Sequence, residues 1–237
     1  MPRPPHRPAA RPMSRQRGAS LTEFVIVAPV AILLTFGILQ AGMLYMAKLT
    51  LNNATFMAAR TGAVKNARLG EIKDSLAKGL VPFYQDATNG NDLARIGAAY
   101  ARAKIDVISP FTEIERISPS DKAFAVYGIT DKGVTYIPND NLEFRTATPM
   151  NGAAMSIRDA NVLRIKVTYG YELKVPLMAA VIKRLMCPGF SGSDIQAWDR
   201  VSLLPWGNTE DCLRYYMLDR LPIVSYATVQ MQSRPER

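Results

Sequence analysis

The sequence predicts an α+β protein: one long N-terminal transmembrane helix extending into an exported domain of helices packed on a small antiparallel sheet. Three observations predict it. No charged side chain occurs from Phe24 to Ala47, a run of 24 residues that spans about 36 Å as a helix, enough for a slightly tilted bilayer crossing. Segments with apolar residues at helical spacing follow that run, between residues 48 and 104. From about residue 109 the dominant period falls to two, most clearly at Leu163, Ile165, Val167, Tyr169, Tyr171, Leu173 and Val175, as in strands with one dry and one wet face.

The first element is residues 1–18, a proline-rich leader carrying Arg3, Arg7, Arg11, Arg15 and Arg17 and no acid. An excess of arginine before the apolar run, against the sparser Lys48, Arg60 and Lys65 after it, places the N-terminus in the cytoplasm and exports the remainder. The apolar core exceeds that of a cleaved secretory signal, and Leu39-Gln40-Ala41 before Gly42 is a poor small-x-small site. The helix over residues 19–47 is therefore expected to remain as an anchor.

Glu23 stands at the entrance to that helix, where an ionised carboxylate is costly unless it reaches the interface or finds a partner. Two readings are open. Glu23 sits at headgroup level beside the leader arginines, or a peptidase cuts after Gly18, leaving a free amine on Ala19 that the Glu23 carboxylate of a neighbouring subunit neutralises. Pro29 removes one helical N–H and is expected to kink or loosen the helix at Val25. Gly37 and Gly42 lie five apart, which is not the GxxxG spacing, yet they permit close helix approach on part of the surface.

The leader, Gly18, Ala19-Ser20-Leu21-Thr22-Glu23-Phe24 and the apolar helix resemble the class III signal of type IV pilin-like proteins. The longer pattern Arg17-Gly18-Ala19-Ser20-Leu21-Thr22-Glu23-Phe24, with Pro29, Gly37 and Gly42, resembles the TadE-like family, the minor pilins or pseudopilins of the tight-adherence (Tad, or Flp) pilus apparatus. The resemblance covers Arg15 to Arg60. It departs from the pattern at Gln40, where many such sequences carry an acid shortly before the second glycine. The resemblance implies processing between Gly18 and Ala19 by a prepilin peptidase and a single-pass inner-membrane protein with its C-terminal domain in the periplasm. It also implies association with other pilin-like subunits and the assembly machinery, through a Phe24–Ala47 assembly helix and the Ala19–Glu23 charge pair.

Residues 48–108 are expected to form a helical stalk region. Lys48 to about Ala67 continues the helix, with Asn52, Asn53, Thr55 and Arg60 on a polar face and Gly70 as its interruption. A second helix covers Glu71 to Leu80, with Ile72, Leu76 and Leu80 inward, ending near Pro82; a loop at residues 86–92 precedes a third over Leu93 to Lys104.

Residues 109–237 read as the β-rich domain. Ala123 to Thr130 and Val134 to Ile137 flank the turn Asp131-Lys132-Gly133 as a hairpin. The long strand ends near Val175, with Gly170 bending or dividing it. Leu177 to Met186 is a short apolar helix, packed on the sheet or lying on a membrane surface. Ile223 to Gln232 forms a last strand, and residues 233–237 a frayed tail.

Cys187 and Cys212 close a loop of about 25 residues if they pair in an oxidising compartment, a gain of about 3 kcal/mol; the alternative is two small, unpaired buried side chains. Trp198, Trp206, Tyr215, Tyr216 and Met217 either fill the core beneath that loop or present an adhesive patch.

Composition narrows the function classes. The net charge of +9 falls to +4 without the five leader arginines, too weak an excess to make nucleic acid the default partner, and no basic stripe interleaved with aromatics restores it. The sole histidine, His6, lies in the leader, so a processed chain has neither the commonest general base nor a histidine zinc ligand. No catalytic residue, cofactor or metal site is expected. Pro138-Asn139-Asp140-Asn141 offers too few carboxylates for calcium and reads as a turn, and residues 189–194 lack the Gly-Lys-Ser/Thr ending of a phosphate loop. The Asn53-Ala54-Thr55 sequon lies on a helix near the membrane and reads as chance. The reading is a non-enzymatic pilin-like subunit; the alternatives are a signal-anchored binding or sensory domain that never polymerises and, further off, a tethered hydrolase.

Overall fold

In the computed structural model, residues 21–86, 90–150, 152–187 and 209–237 are described. The chain is α+β. Helix α1 covers Leu21–Val64, 44 residues, and is followed by α2 (Leu69–Leu80) and α3 (Asp92–Ile108). Then come β1 (Thr112–Ser118), α4 (Asp121–Tyr127), the hairpin β2 (Ile129–Asp131) and β3 (Val134–Tyr136), and α5 (Ile157–Ala160). Strand β4 (Val162–Glu172), α6 (Met178–Met186), α7 (Thr209–Arg214) and β5 (Arg220–Gln230) complete the order.

The main sheet is antiparallel with order β1-β4-β5. Its centre is the strand whose alternation is clearest: Leu163, Ile165, Val167, Tyr169 and Tyr171 are buried, while Arg164 points to solvent. Pairing runs from Val162 opposite Gln230 to Glu172 opposite Arg220. Pro222 is tolerated because β5 is an edge strand, where a missing N–H leaves no ladder bond unmade. Gly170 does not divide β4, which runs unbroken from Val162 to Glu172. A Cβ there would stand 2.8 Å from the Tyr215 ring and 3.3 Å from Phe111 Cβ, so the glycine serves the close approach of Tyr215 to the strand.

The dry face of the sheet is covered by the C-terminal half of α1 together with α2 and α3, in one core containing Leu51, Ala58, Ile72, Leu76, Val107, Leu163 and Val167. Alanines make this half of α1 thin, and α2 comes close: a Cβ on Gly79 would lie 2.6 Å from Ala54 Cβ and 2.7 Å from its Cα. Asn52, Asn53 and Arg60 are exposed as expected, but Thr55 is fully buried, its hydroxyl donating to Leu51 O at 2.7 Å. A back-bonded hydroxyl is self-satisfied and so passes for a small core residue.

Several elements differ from their sequence expectation. The first helix breaks at Asn66 and Ala67, both at positive φ, and Gly70 lies inside α2. The segment 123–130 is not one strand: Ser120 caps α4 by accepting from Ala123 N, Ala123, Phe124 and Tyr127 turn inward, and only Ile129–Asp131 pairs with Val134–Tyr136. Large and small residues alternate there, which imitates a strand, but the cap decides for helix. The tail is not frayed. Ile137 N donates to Pro235 O, Glu236 N to Asn66 O and Arg237 N to Thr135 O, while Arg68 meets Glu236 at 2.7 Å, so the last residues clip the α1–α2 turn to the β2–β3 hairpin. Asp140 pairs with Arg145 at 3.6 Å within a turn, as expected of that stretch.

Cys187 and Cys212 are bonded to each other, with Cα atoms 6.0 Å apart. Both are buried with Tyr216, against Ile182, Met186 and Leu221. Tyr216 therefore fills the core beside the disulfide, Tyr215 is buried against Gly170 of β4, and Met217 is partly exposed. Trp198, Trp206 and the segment 189–194 lie outside the described residues. Helix α6 packs on this disulfide cluster, at the end of the sheet rather than across its face.

Candidate assembly surface

Helix α1 has two halves with different surroundings. From Gln40 onward one stripe is buried, through Ala47, Leu51, Ala54, Ala58, Ala59 and Ala63, at the three- and four-residue spacing of a helix face laid on a core. Before Gln40 nearly every large side chain is bare: Phe24 is 70% exposed, and Val25, Ile26, Val27, Val30, Ile32, Leu33, Leu34, Ile38 and Leu39 are exposed with it. A continuous apolar cylinder of this kind does not rest in water; it marks a lipid or protein contact. Among the described residues, α1 is the one helix long and apolar enough to cross a membrane.

The predicted site residues fall along this stem. Gly18 and Ala19 lie outside the described residues. Glu23 is exposed in the first turn of α1, where its charge complements the partial positive end of the helix dipole, and it makes no ion pair among the described residues. Phe24 points outward. Pro29 lies within the helix, which continues without interruption from Leu21 to Val64; a single lost N–H is absorbed there. Among the described residues nothing lies within 4 Å of the Cβ position at Gly37 or Gly42, so each leaves a flat place on the helix that no described side chain fills.

Three further features position the stem, and the sequence reading missed them. Gln40, only 2% exposed, accepts a hydrogen bond from Val175 N at 3.1 Å through Oε1. This pins the chain between β4 and α6 to α1 at the point where the free half ends. The departure from an acid at this position is chemically mild, since an amide oxygen and a carboxylate oxygen both accept. Lys48 Nζ donates to Val224 O on the edge strand β5. Beside these contacts a groove of about 510 Å³ runs between α1 and the sheet, walled by Ile38, Leu39, Gly42, Met43, Met46, Pro82, Phe83, Tyr171 and Lys174.

Below the groove lies a polar cluster. Tyr169 Oη donates to Asp106 Oδ2 at 2.9 Å, Tyr84 Oη also donates to Asp106, and the two phenol oxygens are 2.6 Å apart. Arg220 reaches both Asp106 oxygens at 3.1 and 3.2 Å and the Gly170 carbonyl at 2.9 Å, with its guanidinium 4.3 Å from the Phe111 ring centroid. Burial, then the hydrogen bond to Asp106, pushes the Tyr84 phenol well above its ordinary range. Tyr169 is raised for the same first reason, followed by the charges of Tyr84 and Asp106. With guanidinium and phenol donors gathered on one carboxylate, the cluster is a hydrogen-bond hub tying α3, the turn Val81–Tyr84, β4 and β5 together. A signal for it existed: Ala99, Ala103, Asp106 and Val107 share the buried side of α3, so its helical spacing puts an acid where the core should be.

No curated protein and no solved structure matches this chain. A family model does, over residues 18–60: that segment, which holds Gly18, Glu23, Pro29, Gly37, Gly42 and the stem of α1 through its docking half, matches the family described as TadE-like protein.

Proposed function

We propose that this chain is a non-enzymatic minor pilin or pseudopilin that takes part in assembly of a Tad (Flp) pilus. In this reading it inserts in the bacterial inner membrane with its N-terminus cytoplasmic. A prepilin peptidase removes residues 1–18, and Ala19 begins the mature chain. The C-terminal domain then stands in the periplasm, and the free half of α1 packs among the helices of other pilin-like subunits, with the Glu23 carboxylate meeting the new amine of a neighbour.

The observation that carries the reading is the division of α1: a TadE-like helix whose second half is built into a domain and whose first half leaves that domain bare and apolar. A helix serving only its own fold would have its apolar face covered. Bare glycines at 37 and 42 and a carboxylate without an ion-pair partner among the described residues are what an intermolecular helix contact would use.

The test is the mature N-terminus, read by mass spectrometry on protein from its native host. A chain beginning at Ala19 is expected. One still beginning at Met1 favours the signal-anchored domain that never polymerises, and one lacking α1 removes the reading altogether. Replacing Gly18 with a bulky residue should block processing. Glu23→Ala should insert in the membrane normally yet fail to co-purify with the pilus machinery; normal incorporation would exclude the charge pair.

A further inference from the structure

The bare part of α1 is too short for the membrane it would cross. From Phe24 to Leu39 there are 16 residues, about 24 Å of helix, against a hydrocarbon core of about 30 Å. The missing 6 Å is about four residues, so lipid reaches roughly Met43 on α1, and tilt only lengthens the deficit. Whatever packs on α1 between Gln40 and Met43 therefore lies at the membrane boundary.

The chain before α6 is held there. Val175 is hydrogen-bonded to Gln40, and α6 begins three residues later in contact with α1. Helix α6 has two apolar faces. Ile182 and Met186 face the disulfide cluster, whereas Leu177, Val181 and Leu185 are exposed by 59%, 37% and 65%, spaced four residues apart along one line. Basic Arg184 adjoins this line, and Lys174 is exposed just before it. Leu177 also holds φ 65°, the left-handed region that a leucine rarely adopts. A strained backbone that turns a large apolar side chain outward is a motive to look for what it touches.

We propose that the outer face of α6, formed by Leu177, Val181 and Leu185, is an interfacial membrane contact. It would seat the domain on the outer leaflet of the bilayer that α1 crosses, with Arg184 and Lys174 beside anionic phospholipid headgroups. A short amphipathic helix with leucines on one side and basic residues at the edge has the chemistry of such a contact. The proposal rests on the membrane-spanning reading of α1.

Full-length protein would be reconstituted in vesicles of phosphatidylcholine and phosphatidylglycerol with photoreactive p-benzoylphenylalanine at position 185, 32 or 144. Position 32 reports the span itself. Phe144 is exposed at the other end of the domain, beside α5, and serves as the distant reference. Lipid adducts at 32 and 185 and none at 144 are expected, and Lys174→Glu combined with Arg184→Glu should lower the yield at 185 several-fold. An adduct at 32 without one at 185, or a crosslink from 185 to a second copy of the chain, overturns the proposal while α1 still spans. Equal lipid yields at 185 and 144 overturn it as well, and the absence of an adduct at 32 removes the spanning reading together with it.

Discussion

Gln40 shows how much one side chain can decide. It is the residue at which α1 passes from bare to buried, and its amide oxygen accepts the hydrogen bond of the buried Val175 N–H. A buried donor left without an acceptor costs about 1–3 kcal/mol. In Gln40→Leu the volume is nearly kept and the acceptor is lost, so amide exchange at Val175 should accelerate while exchange in β4 is unchanged. An unaltered rate at Val175 would show that the bond does not hold this loop. The tyrosines of the polar cluster make a second prediction at this scale. Their folded pKa values lie above the ordinary 10.0, so above that pH the unfolded chain releases protons that the folded chain keeps. Stability is then fully present below about pH 10 and is lost as pH rises further. Unfolding midpoints measured from pH 8 upward should fall past pH 10, and less steeply in Tyr169→Phe; an equal slope in that variant would place the titration elsewhere.

Between elements, the closest fit is that of α1 on α2. Most glycines in the described structure have room for a methyl group, but at Gly79 that methyl would meet the Cα of Ala54, which cannot move without moving the helix. Gly79→Ala should cost about 1–3 kcal/mol, the usual penalty of overpacking, read as a lowered unfolding midpoint. Gly97→Ala, inside α3 with nothing within 4 Å of the new atom, should be neutral or stabilising through helix propensity. Equal effects at the two positions would mean that α1 and α2 are not so tightly seated. These elements were legible to different degrees. Strand β4 was read correctly because five alternating apolar residues have no helical explanation, and α2 because Ile72, Leu76 and Leu80 have no strand explanation. Helix α4 was not, since seven residues hold too few turns for either period to dominate, and the deciding features were the Ser120 cap and the Phe124–Tyr127 cluster.

At the level of the whole molecule, the stem and the domain are separable. All core residues of α1 lie at Gln40 or beyond, and the bare segment contributes no member to the buried core. A chain lacking residues 1–35 but keeping Gln40 should therefore retain the fold, with the same protected amides in β4 and β5, while losing membrane attachment through α1. A truncated chain without slow-exchanging sheet amides would show that the stem is part of the folding unit.

The sequence by itself determined the apolar N-terminal run, the lone carboxylate at its entrance, the alternation of the central strand, the helices at 3.6-residue spacing and the two cysteines, whose pairing it left open. Each of these is written locally, as a period, a charge gap or a residue type. Tertiary structure alone decided where α1 ceases to be free, that Asp106 collects donors from three other elements, and that the last five residues clip the α1–α2 turn to a hairpin. Those contacts join residues about 20 to 170 positions apart, and a hydrogen bond between backbone groups or between a buried acid and a distant arginine leaves no periodic trace along the chain.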